Sequence, residues 1–94
     1  MDFTFNGKPI IPTKTALDEL SDIDMDLSAV PVILEKGFPV RKRKKSIIEK
    51  GMQRGSKIVN VVVVDIGNYY KLIHAGEFTL SKKFKKMKRE NNGT

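Results

Sequence analysis

Apolar and polar positions alternate with period two at both ends of the chain and recur every three to four residues in between. In Asp2-Phe3-Thr4-Phe5-Asn6 the two aromatics share one face of a short strand, and Asn6-Gly7 tolerates the positive φ angles of a tight hairpin turn. The return strand, Lys8 to Ile11, carries Pro9; proline has no N–H for a ladder, so this ribbon is expected at a sheet edge. Ala16, Leu17, Leu20 and Ile23 then fall on one helical stripe, with Thr13 or Thr15 available to cap its start. A second short helix carries Leu27, Val30, Ile33 and Leu34 on its stripe and ends at Gly37. Asp26 and Ser28 are alternative N-caps; with Ser28, Pro31 falls in the first turn, where its missing N–H has no helical partner to lose.

Past Pro39 the period returns to two. Residues 46–53 read as a strand, Arg54-Gly55-Ser56 as a turn, and Ile58 to Ile66 as a strand apolar on both faces, the pattern of a central strand. Gly67-Asn68 is a hairpin signal, with Tyr69 to Phe78 as the partner strand. That turn predicts Val64 opposite Lys71, Val62 opposite Ile73 and Val61 opposite His74. Tyr70, Leu72 and His74 then share one face. Leu80, Phe84 and Met87 recur at helical spacing among lysines, and Asn91 to Thr94 are expected to be disordered. The predicted fold is α+β: a small antiparallel sheet, made of the N-terminal hairpin and a C-terminal three-strand meander, packed on two short helices. It occupies residues 1–80 as one domain, and residues 81–94 form a basic, flexible tail.

Ninety-four residues support one core. The chain has no cysteine, which excludes disulfides, thiolate metal sites and cysteine nucleophiles. No apolar run approaches the ~18 residues of a membrane span, and the first residues lack the layout of a signal peptide, so a soluble cytoplasmic protein is expected. Asp18, Glu19, Asp22, Asp24 and Asp26 scatter over a solvent face and form no calcium loop. Nor is there a phosphate-cradling glycine loop or a serine triad. No metal and no cofactor are expected.

Charge changes this picture most. Eighteen basic and eleven acidic residues give a net charge of +7. Residues 1–40 hold three basic and seven acidic side chains, and residues 41–94 hold fifteen and four. A pole that cationic favours a polyanion such as RNA, or an acidic protein; a solvated, solubilising surface is the alternative. Arg41-Lys42-Arg43-Lys44-Lys45 is the densest run, with Lys50, Arg54, Lys57 and Lys71 downstream, and these nine side chains are the candidate nucleic-acid contacts. The tail adds Lys82, Lys83, Lys85, Lys86, Lys88 and Arg89, which suit RNA, an acidic protein or an anionic membrane surface.

The order of hairpin, two helices, strand meander and basic tail resembles the RelE/BrnT-type toxin superfamily, especially its small uncharacterised relatives. Residues 15–20 (TALDEL), 25–37 (MDLSAVPVILEKG) and the strand 59–65 carry the resemblance, which spans residues 13–78. It implies a metal-independent endoribonuclease acting on messenger RNA, with an acidic antitoxin as partner. Where many of those relatives have histidine before the alanine of the first helix, this chain has Thr15.

His74 is the single histidine and the one side chain whose ordinary pKa lies near neutrality. As an acid or base it would act on a ribose 2′-hydroxyl or the leaving oxygen, with Arg43 and Arg54 stabilising the transition state and Tyr70 beside it. The bland alternative is a strand histidine without duty. Tyr69, Tyr70, Phe78 and Phe84 are further candidates, for base stacking. Two functions therefore stand at this point: an RNA-binding ribonuclease, and a non-catalytic module of the same fold binding nucleic acid or an acidic protein. Convergence of His74, Tyr70 and two arginines in one concave patch would separate them.

Overall fold

The structure, a computed structural model, describes residues 3–79. Its elements are β1 (Thr4–Phe5), β2 (Lys8–Pro12), α1 (Lys14–Asp22), α2 (Ala29–Lys36), β3 (Phe38–Pro39), β4 (Ile47–Arg54), β5 (Lys57–Asp65) and β6 (Tyr70–Thr79). All six strands join one sheet in the order β1-β2-β6-β5-β4-β3. The α+β class is as predicted, and the N-terminal hairpin and the meander fuse through a parallel pairing of β2 with β6 (Ile10 opposite Tyr70, Pro12 opposite Leu72). The sheet is thus mixed rather than antiparallel throughout. The expected tail, with its Leu80, Phe84 and Met87 stripe, lies outside the described residues.

β5 is the centre of the sheet because it is apolar on both sides. Val59, Val61 and Val63 face the helices and join Ala16, Leu20, Val30, Ile33 and Leu34 in the core. Ile58 and Val62, on the opposite face, are buried as well. α1 starts where Thr13 Oγ1 accepts the Ala16 N–H at 3.0 Å, so Thr13 and not Thr15 is the cap. Of the predicted stripe, Leu17 points to solvent. Ser28 takes the N-cap position of α2, which leaves Pro31 in the first turn.

The hairpin register follows the prediction from the turn as far as Lys71 opposite Val64; a bulge then intervenes. Leu72 faces Val63 and His74 faces Val62, leaving Ile73 without a partner. The slip sends His74 to the face away from the helices and brings Ala75 into the core beneath them. An imidazole there would need a buried hydrogen-bond partner, which alanine does not.

Two glycines allow close approaches around β4, Gly37 at the end of α2 and Gly51 on the face away from the helices. Gly37 leaves α2 directly against β4, and a Cβ at Gly37 would press on the carbonyl oxygens of Ile33 and Gly51. Gly51 lies within β4, where a Cβ would come 2.8 Å from Val40 Cγ2. Because the atoms against Gly37 are backbone, they cannot swing aside. Gly37→Ala is expected to destabilise the fold by about 2 kcal/mol and to lower Tm by roughly 10 °C for a domain of this size; a thermal melt followed by circular dichroism checks it.

Candidate nucleic-acid interface

The acidic half of the sequence builds the helix layer. Asp18, Glu19 and Asp22 lie on α1, Glu35 on α2, and Asp24 and Asp26 in the turn between them. The basic run lies across the sheet from them, for a reason that the register makes plain. Ile48 and Met52 of β4 pack toward the helices, so Glu49, their alternate, points the other way.

Among the described residues Glu49 is the buried charge, its side chain 3% exposed. Arg43 Nε donates to its Oε1 at 2.7 Å, Arg41 Nε lies 3.4 Å from the same oxygen, and Asn60 Nδ2 donates to Oε2 at 2.8 Å. A buried carboxylate is tolerable only when paired and hydrogen-bonded like this. The pairing draws residues 41–43 over the face opposite the helices. Lys42, Lys44 and Lys45 are exposed in the same loop, and Lys71, opposite Val64, points to the same face. Among the described residues these four lysines have no carboxylate within ion-pair distance.

The other candidates are placed differently. Lys50, opposite Val61, falls on the helix side of β4. Arg54 and Lys57 close the β4–β5 turn on Glu77, at 2.9 and 3.2 Å, and Arg54 also donates to the Ile23 carbonyl at 2.7 Å. Two of the nine predicted phosphate contacts are thus engaged in closing a turn. Sequence alone carried a weak signal of this, in the single acidic residue, Glu77, of the strand that pairs with that turn.

Tyr70 is buried on the helix side. It stacks at a tilt on Phe5 with centroids 5.3 Å apart, accepts a hydrogen bond from Asn6 Nδ2 at 3.2 Å, and has Lys8 Nζ 4.5 Å above its ring. It anchors the N-terminal hairpin and is closed to bases and substrates. His74, exposed on the opposite face, places Nδ1 3.4 Å from Glu19 Oε1; the same carboxylate accepts from the Ala75 N–H at 3.3 Å. The expected grouping of His74, Tyr70, Arg43 and Arg54 is not assembled: Tyr70 is under the helices, Arg54 is at the far turn, and Arg43 is held by Glu49. A cleft of about 370 Å³ opens between α2 and the β4–β5 turn, lined by Met25, Val32, Ile33, Met52 and Arg54 among others, and His74 and the 41–45 run do not line it. The exposed lysines 42, 44, 45 and 71 form a cationic surface apart from this cleft. No helix of the described residues is long and apolar enough to cross a membrane.

Comparison with known proteins gives no match, whether to a family model, to a curated protein or to a solved structure.

Two expectations follow. Removing Arg43 leaves Glu49 buried without its charge-assisted hydrogen bond and with the more exposed Arg41, at 3.4 Å, as remaining counter-charge, so Arg43→Ala is expected to destabilise the fold by about 3 kcal/mol, read by urea unfolding. The turn at Glu77 sets an acid dependence. Its carboxyl is held below the usual carboxylate range, first by the Lys57 hydrogen bond and then by Arg54, with lost hydration opposing. Asp65 is lowered likewise, by Lys8 and then the Gly67 N–H. A lowered carboxylate stabilises the fold above its unfolded pKa and loses that contribution as pH falls through the folded one. Glu77→Gln is therefore expected to be less stable than the native protein at pH 7 and to converge with it as the pH is taken below 4, in unfolding curves recorded across that range.

Proposed function

We propose that this protein is a non-catalytic RNA-binding module that holds the phosphate backbone on the face opposite its helices. The observation that carries this reading is the division of charge across the sheet. Acidic side chains occupy the helix layer, while Lys42, Lys44, Lys45 and Lys71 stand on the other side without carboxylate partners among the described residues. Fixed cations on one side and anions on the other orient a polyanion before contact. Lysine contacts neutralise phosphates and release counterions without reading sequence, so affinity should depend on salt much more than on base order. An RNA partner would place the protein's work in the cytoplasm.

The positions of the candidate groups support binding without cleavage. Attack by a 2′-hydroxyl requires a base, an acid and charge stabilisation around one phosphate. His74 has Glu19 beside it and neither Tyr70 nor Arg54 near it. A ribonuclease of the RelE/BrnT type, with its antitoxin, is the second reading. It draws on one observation: Glu49, Val62 and His74 pair across three strands, which sets the Arg43–Glu49 pair and His74 on the same face.

Titration of a fluorescent single-stranded RNA at several salt concentrations tests both readings, with cleavage scored in the same tubes. Four lysine contacts give a slope of log K against log salt of about −3, and each lysine-to-alanine change at 42, 44, 45 or 71 is expected to make it shallower by about 0.7. Intact RNA, and affinity unaltered in His74→Ala, are the expected results. Products that disappear in His74→Ala would establish the ribonuclease. Absence of binding at low salt would overturn both readings and leave an acidic protein as the partner.

A further inference from the structure

Glu49 treats its two arginines unequally, and the inequality has a functional meaning. Arg43 is drawn in: its Nε–H donates to Glu49 Oε1 at 2.7 Å, and its side chain is 33% exposed. Arg41 meets that same oxygen with its Nε at 3.4 Å, and its side chain is 66% exposed. Asn60 occupies the second carboxylate oxygen. We infer that Glu49 is a positioning residue which neutralises Arg43 within the fold and steadies Arg41 by one nitrogen, making Arg41 the arginine that grips phosphate. This deepens, and rests on, the RNA-binding reading above.

The chemistry follows from the shape of guanidinium. Its donors lie in one plane, and a contact at Nε leaves the terminal nitrogens, one on the same edge and one beyond it, available to other acceptors. Two parallel N–H donors match two phosphate oxygens, a fit that the point charge of lysine cannot reproduce. A free arginine must give up side-chain freedom to make this contact. Arg41, whose Nε rests 3.4 Å from Glu49 Oε1 in an ion pair without a hydrogen bond, has part of that freedom removed by charge alone. The carboxylate responsible is itself rigid, buried in β4 and hydrogen-bonded from β5. The surface then combines three kinds of cation: Lys42, Lys44 and Lys45 as exposed point charges, Arg43 as a structural counter-charge, and Arg41 as an oriented fork. Phosphodiester is the ligand class it suits, and the adjacent lysines favour a run of phosphates over a single one.

Two measurements test this, one of them free of RNA. In arginine-selective labelling with phenylglyoxal, followed by peptide mass mapping, Arg43 is expected to react about tenfold more slowly than Arg41, as its charge-assisted hydrogen bond requires. Glu49→Gln should remove the difference; if that variant does not fold, the ratio in the native protein still decides. Equal reactivity of the two arginines there overturns the inference. In the second measurement, the fluorescent RNA titration is repeated with Arg41→Lys and Arg43→Lys, which keep the charge. Arg41→Lys is expected to weaken binding about fivefold at an unchanged salt slope, because geometry is lost and charge is not. Arg43→Lys is expected to lower Tm and leave affinity alone. Unchanged affinity in Arg41→Lys, where the native protein binds, overturns the inference and leaves the RNA reading intact. Failure of the native protein to bind overturns the RNA reading itself, while the labelling ratio independently reports the hold of Glu49.

Discussion

Everything in this fold answers to the burial of β5 on both sides. A nine-residue strand with valines in both alternating sets cannot leave either face in water, since each buried valine is worth about 1.5 kcal/mol or more relative to exposure. Full-length antiparallel partners, β4 and β6, satisfy its two edges. The helices cover one face, where Ala16, Leu20, Val30, Ile33 and Leu34 join Val59, Val61 and Val63. On the other side Val40 comes up against Gly51 and Ile58, bringing the start of the basic loop over β4. The cationic surface is therefore a consequence of how the core is closed.

Glu49 links the core to that surface. Its neighbours in β4 turn toward the helices, so alternation forces the carboxylate to the opposite face, next to Asn60 of β5. There the arginines of the loop neutralise it. One buried anion thus decides which members of a five-residue cationic run belong to the fold and which to solvent. The Lys8–Asp65 pair at 2.8 Å, together with Tyr70 under Phe5, performs a similar service at the other end of the sheet, fastening the N-terminal hairpin to the β5–β6 turn. At that end the outer edge of β6 is guarded by β2 over residues 70–72 and then by Glu19, which accepts the Ala75 N–H. An exposed strand edge invites unwanted pairing, and α1 closes part of it.

The separation of Tyr70 from His74 is likewise a matter of register. Tyr70 and His74 are four residues apart in a strand, which in regular alternation puts them on one side. The unpartnered Ile73 breaks that alternation. It separates the tyrosine, which the core needs, from the histidine, which the core would have to satisfy with a buried partner.

Much of this was legible along the chain. The Asn6-Gly7 turn, the capping Thr13, the stop at Gly37 and the doubly apolar strand from Ile58 are local signals, because turn φ angles, caps and side-chain alternation act within a few residues. The uneven charge of the two halves was legible too, and it anticipated a two-sided molecule. The tertiary structure alone decided the parallel junction of β2 with β6, the bulge at Ile73 and the inward role of Glu49. These depend on residues far apart in sequence: on which strand lies beside which, and on what a buried carboxylate finds within hydrogen-bond reach. For the same reason the sequence offered nine cations together as nucleic-acid contacts. Only the folded chain distinguishes Arg43, Arg54 and Lys57, whose charges are met by carboxylates, from the lysines of the loop that face solvent.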